Sequence, residues 1–186
     1  MTAPGSAPPS PVLGVPLLFD YLYWLRDRIV RAASGLEDEA FRSSPVINGR
    51  DLRATLVHEL DVELSWRARL RGEPPAAWGE EAGLDPDEFP ALADLTARWS
   101  RDEVEMRRWV DGLAHPELAT PITANGLEGY ALSVYLLHVV EHGVTELTSA
   151  AAILTEIGRS PGELGLLNAL DELAPLPRPP EAAGTP

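Results

Sequence analysis

The stretch from Leu127 to Ile157 most constrains the fold. Its apolar residues Leu132, Tyr135, Leu136, Val139, Ala150, Ile153 and Ile157 return at helical spacing, which predicts one long helix with a single buried side. At 1.5 Å per residue such a helix is about 45 Å long. It can cover its apolar stripe over that length only against other long helices.

Three further segments supply them. The first spans roughly 16–34, with Leu18, Leu22, Leu25 and Ile29 on one side, Pro16 in the first turn and Gly35 as a stop. The second runs from about 49 to 71 through Leu52, Leu56, Leu60, Leu64 and Trp66, and Gly72-Glu73-Pro74-Pro75 ends it. The third covers about 88–112, marked by Leu92, Leu95, Trp99, Met106 and Trp109. A short fifth helix is expected over 162–173, where Leu164, Leu167 and Leu170 repeat. Between the second and third lies a long acidic loop with Trp78, and residues around Thr120 to Thr123 suit an extended piece. No strand alternation competes. The expected class is all-α: a four-helix bundle with a short extra C-terminal helix, in which Trp66, Trp99 and Trp109 fill the core. Gly158 is the natural end of the fourth helix.

The expected domain covers residues 13–174. Prolines crowd both ends, so residues 1–12 and 175–186 are read as disordered tails. The start, MTAPGSAPPSP, lacks the basic and apolar regions of a secretory signal, and no apolar run is long enough for a membrane span. A soluble cytoplasmic protein is the expectation. Fifteen basic against 29 acidic residues give a net charge of -14. That field repels phosphate backbones and anionic lipid, so neither nucleic acid nor membrane is an expected partner. It argues more weakly against a highly anionic substrate. The chain has no cysteine, which excludes disulfides, thiolate metal sites and cysteine nucleophiles. Any metal must be held by His, Asp or Glu.

The chain has four histidines, and two of them stand four apart on the fourth helix. His138, His142 and Glu146 form a ladder along it. At 100° per residue, Glu146 falls about 40° from the centre of the apolar face, His142 about 80° and His138 about 120°. The inward pair is therefore His142 with Glu146, and His138 is an outer candidate. A carboxylate so close to the core must be paired, protonated or metal-bound. Gly143 beside it costs about 1 kcal/mol in a helix, which close packing or access to a pocket would offset. A third ligand has to come from another helix, and His58, in LRATLVHELDVELSW, is the candidate. Its neighbours Glu59, Asp61 and Glu63 could orient ligands or form salt bridges. Two imidazoles and one carboxylate suit Zn, Fe, Ni or Mn, with open positions characteristic of a catalytic site. Helices also place such residues together by chance, so ordinary hydrogen-bonded polar pairs remain the alternative. His115 precedes Pro116 just past a helix end, where a cation answers the helix dipole.

The order of these elements resembles the DinB/YfiT-like superfamily of bacterial four-helix-bundle proteins, over about residues 15–173. NGRDLRATLVHELDVELSW looks like that family's second helix, which opens after a glycine and carries a metal-binding histidine, here His58. HVVEHGVTELTSAAAILTEIG looks like its last long helix, where two ligands stand four apart. Gly158, twelve residues beyond Glu146 and followed by Pro161, is similar to the family's helix ending. In that register the ligand positions fall on His142 and Glu146. The second is usually histidine, and the Arg-Gly-Gln that often follows is replaced by Leu147, Thr148 and Ser149. The related mycothiol-dependent isomerases resemble this set in using two histidines and a glutamate, with histidine and glutamate in the opposite order along the helix. The resemblance implies a thiol-dependent transferase or isomerase, with a divalent metal on His58, His142 and Glu146 and a low-molecular-weight thiol as co-substrate. Two other readings stay open: a non-catalytic dimeric bundle, serving as scaffold or small-molecule binder with a degenerate site, and a metal-dependent hydrolase. A homodimer and a small-molecule substrate are the partners these readings allow.

Overall fold

The computed structural model describes residues 14–173, and the two expected tails lie outside them. Four long helices form the bundle: α1 (Val15–Ala33), α3 (Leu52–Leu70), α4 (Leu92–Asp111) and α6 (Leu132–Glu156). Short helices α2 (Asp38–Arg42), α5 (His115–Leu118) and α7 (Leu166–Leu173) fill the connections and the C-terminal end. No β-sheet is present among the described residues, and none of their helices is long and apolar enough to cross a membrane.

Helix α6 packs on both α3 and α1, α4 packs on α1 and α3, and α7 closes over α1. The core interleaves Phe19, Leu22 and Ile29 of α1 with Leu56 and Leu60 of α3, Leu95, Trp99 and Met106 of α4, and Leu136, Leu147 and Ile153 of α6. At its C-terminus α6 closes as predicted at Gly158. Gly158 donates to Thr155 O at 3.0 Å and Arg159 donates to Leu154 O at 2.7 Å, which satisfies carbonyls the helix leaves open.

The helix starts differ from the sequence expectation for local reasons. Helix α3 begins at Leu52 because Asn48 and Gly49 turn the chain and Asp51 caps the helix, its Oδ1 accepting from Ala54 N at 2.8 Å. Helix α4 begins at Leu92, since Pro86–Glu88 form a separate single turn. Helix α6 begins at Leu132, five residues later than expected. The preceding residues fold back, with Ile122 N donating to Tyr130 O at 3.0 Å and a bridge between Pro121 and Ala131. The extended piece near Thr120 is therefore present, and it takes its partner from the stretch assigned to the helix. Helix α2 went unread because five residues are too few to display a period; it buries Phe41. Of the three tryptophans expected as core, Trp99 is fully buried, whereas Trp66 and Trp109 lie only partly covered against its edge.

Candidate metal centre

The two helices that pack most closely, α3 and α6, bring the chemistry together. His58 stands in the middle of α3, facing His142 and Glu146 on α6. Each of the three offers a donor atom, and those atoms lie within 4.8 Å of one another. The imidazoles meet edge to face with centroids 5.3 Å apart. His142 Nε2 is 3.9 Å from Glu146 Oε1. Both rings are half-buried and Glu146 is buried, in line with the wheel that turned Glu146 furthest inward.

Glu59, one residue after His58, is fully buried and lies 2.9 Å from His142 Nδ1 through its Oε2. A carboxylate on Nδ1 fixes the tautomer. When Glu59 is ionised it accepts the Nδ1 proton, and the Nε2 lone pair is left facing His58 and Glu146. When Glu59 is protonated it donates to Nδ1, and Nε2 carries the ring proton instead. Burial pushes the Glu59 carboxyl well above the ordinary range, and the neighbouring Glu63 and Glu146 push it the same way. Burial also lowers the pKa of both His58 and His142, and the Arg50 guanidinium adds to this in each case. Both shifts favour the neutral ring, the state a metal ligand requires.

Gly143 makes this arrangement possible. A Cβ at that position would sit well inside contact distance of Glu59 Oε1 and 2.5 Å from Leu22 Cδ1. The helical glycine is thus explained by close packing, which lets a carboxylate from α3 lie against the α6 backbone.

Glu63, a turn further along α3, belongs to a separate polar cluster. It accepts from the Tyr23 hydroxyl and from Trp99 Nε1, the latter at 3.2 Å. Asp61 holds the acidic loop, its Oδ1 accepting from Leu84 N at 2.8 Å. Of the three acidic neighbours on α3, only Glu59 touches the histidines.

Arg50 is the site residue the sequence reading missed. Its Nη2 donates to Glu146 Oε1 at 2.7 Å from the turn preceding α3. A helical wheel cannot place a residue outside the helix; the Asn-Gly pair before it was the available signal for a tight turn. His138, the outer candidate, is exposed and lies edge-on to Trp66 at 5.1 Å, outside the cluster. His115 is exposed at the start of α5, far from this chemistry in the chain.

The donor set fits a divalent cation. The chemistry is right, and the donor atoms lie within 4.8 Å of one another, close enough for small side-chain shifts to bring them onto one ion. Glu146 Oε2 is also buried with no hydrogen-bond partner among the described residues. Such an atom costs about 1–3 kcal/mol unless something binds it.

Glu59→Gln separates stability from metal binding. The raised carboxyl pKa means the folded protein holds its proton above the unfolded value, so that stabilisation is lost as pH rises through the folded pKa. The amide removes this loss. The metal-free variant should melt higher than the wild type at pH 8 and no higher at pH 4. Its Zn2+ affinity should fall by about 10–100-fold. Calorimetry at the two pH values and a metal titration check both halves.

The family model described as DinB family matches residues 9–173. No curated protein gives a significant match.

Proposed function

Since the chain belongs to the DinB family, we propose that it is a divalent-metal-dependent enzyme of the thiol-transferase kind, with the ion held by His58, His142 and Glu146. The observation that carries this reading is the convergence of the three donor groups within 4.8 Å on the α3–α6 seam. Glu59, when ionised, supports it by accepting the Nδ1 proton of His142 and leaving the Nε2 lone pair toward the other two donors. Three protein donors leave coordination positions open, the pattern of catalytic sites. Zn, Ni, Mn or Fe bound there would act as a Lewis acid and lower the pKa of a coordinated thiol or water. The chain's own residues do the positioning: Glu59 orients His142, and Leu22 and Gly143 close the core beneath it.

Two open surface depressions, one on α4 beside Arg98 and one beside Arg108 that also takes in Arg71 and Glu117, take no part in this reading. A depression of about 230 Å3 beside the stacked rings of Trp66 and Tyr135, lined also by Arg69 and Gly126 to Glu128, lies further along the same α3–α6 seam. Its aromatic walls suit a small organic group on the substrate.

Untagged, metal-free protein titrated with Zn2+, Ni2+ and Mn2+ tests the proposal. Binding tighter than micromolar is expected, with turnover of an electrophile only when a low-molecular-weight thiol is present. Absence of binding would sink the proposal, and turnover without thiol would favour the hydrolase reading. His138→Ala should change metal affinity by less than about threefold, because its ring is engaged with Trp66 and contributes no ligand; an equal loss at His138 and His142 would refute the ligand set.

One observation favours the non-catalytic bundle: Arg50 already supplies Glu146 with a cation. That reading predicts no metal binding in the same titration.

A further inference from the structure

Arg50 enters α3 from a tight two-residue turn. Asn48 and Gly49 have φ of 53° and 81°, and Ile47 and Arg50 exchange both backbone hydrogen bonds, at 3.0 and 3.1 Å. This is the turn geometry that positive φ at both central residues permits. The turn is tied to α6 twice: Asn48 Nδ2 donates to Ser149 Oγ at 3.3 Å, and Arg50 donates to Glu146. The guanidinium is thus held at a fixed place on the rim of the metal centre.

Its pairing there is incomplete. Arg–carboxylate pairs favour two parallel hydrogen bonds. Here only Nη2 bonds to Oε1, while Arg50 Nε and Glu146 Oε2 are both buried without hydrogen-bond partners among the described residues. The Arg50 side chain is 31% exposed, whereas that of Glu146 is 10% exposed, so the open side of the pair is the cationic one. A second cation drawn to Glu146 would meet the Arg50 charge at close range.

We propose that Arg50 is a masked binding residue for a carboxylate group on the substrate: Glu146 holds the guanidinium in the metal-free protein, and engagement of Glu146 by a divalent cation releases it to the incoming carboxylate. A planar carboxylate matches the guanidinium fork and, once the pair with Glu146 opens, could take the Nε donor that Glu146 leaves unused. The chain's overall negative charge opposes this only weakly, because the recognition is one local fork reading one charged group. The release step rests on the metal reading above; the carboxylate-binding capacity of Arg50 does not. Binding linkage makes the arrangement reciprocal, so metal and carboxylate each strengthen the other's affinity by the same factor.

The test uses untagged full-length chain with succinate and Zn2+ as probes, followed by isothermal titration calorimetry. Without metal, Glu146→Ala should bind succinate at least about tenfold more tightly than the wild type, and Arg50→Gln/Glu146→Ala should lose that gain. Glu146→Gln, which preserves side-chain shape, serves as a second route to the weakened pair, and circular dichroism checks the fold of each variant. With metal, Arg50→Gln should bind Zn2+ about tenfold more tightly than the wild type. Succinate should raise Zn2+ affinity in the wild type and leave it unchanged in Arg50→Gln. No gain of succinate binding in either folded Glu146 variant, or a gain that survives loss of Arg50, overturns the proposal. If the Zn2+ titrations alone fail, the metal reading and the release step fall, and the metal-free result still decides whether Arg50 binds carboxylates.

Discussion

His142→Ala is expected to reduce Zn2+ affinity by more than about 100-fold. Loss of an orienting partner alone typically costs about 10–100-fold, and this substitution removes the proposed ligand itself. Ligand binding to the native state contributes RT ln(1 + [L]/Kd), so 100 Kd of Zn2+ should stabilise the wild type by about 2.7 kcal/mol. The variant should show almost none of this at the same concentration. It should also be less stable without metal, because the fully buried Glu59 loses the imidazole 2.9 Å away. An unpaired buried acceptor costs about 1–3 kcal/mol. Paired melting curves with and without Zn2+ separate the two losses. An unchanged Zn2+-induced shift would remove His142 from the site.

Gly143→Ala should reverse the usual helix rule. In an open helical position alanine stabilises by about 1 kcal/mol relative to glycine. Here the new methyl would strike the Glu59 carboxylate and come 2.5 Å from Leu22 Cδ1. Overpacking of a tight core costs about 1–3 kcal/mol, and displacing Glu59 also forfeits its hydrogen bond to His142. A net destabilisation of roughly 2 kcal/mol is expected, about 4–8 °C in melting temperature for a domain of this size, together with weaker metal binding. Glu59→Ala in the same chain should relieve part of the clash. The double variant should then be less destabilised than the sum of the singles, the signature of residues in contact. Simple addition of the two effects would show that the methyl is accommodated by some other movement.

What the sequence disclosed depended on periodicity. Residues that repeat along a helix could be read, so the four long helices and the inward turn of Glu146 were legible from spacing. Spacing also separated His138 from His142, because four residues advance the helix by 40° and carry the ladder from rim to interior. Glu59 was visible only as one of three acidic neighbours. Selecting it required the distance across the α3–α6 seam, which no single helix encodes. Arg50 lay beyond this kind of reading, since its position comes from the Asn48–Gly49 turn. Helix α2 and the hairpin-like return before α6 are short elements stabilised by their neighbours, and neither displays a period of its own. Trp66 shows the reverse error: it kept the helical spacing of a core residue, yet it stands at the edge, stacked on Tyr135.

The contact between His142 and Glu59 joins positions 83 residues apart in the chain. A cation shared between α3 and α6 would therefore act as a stitch across one long loop of polypeptide. In the unfolded chain, bringing those ends together carries an entropy cost that grows only slowly with loop length. The packing of α6 against α3 along their whole seam offsets that cost. The donor set is thus assembled by the topology of the bundle, and an ion in it would report that the second and last long helices of the chain have found each other.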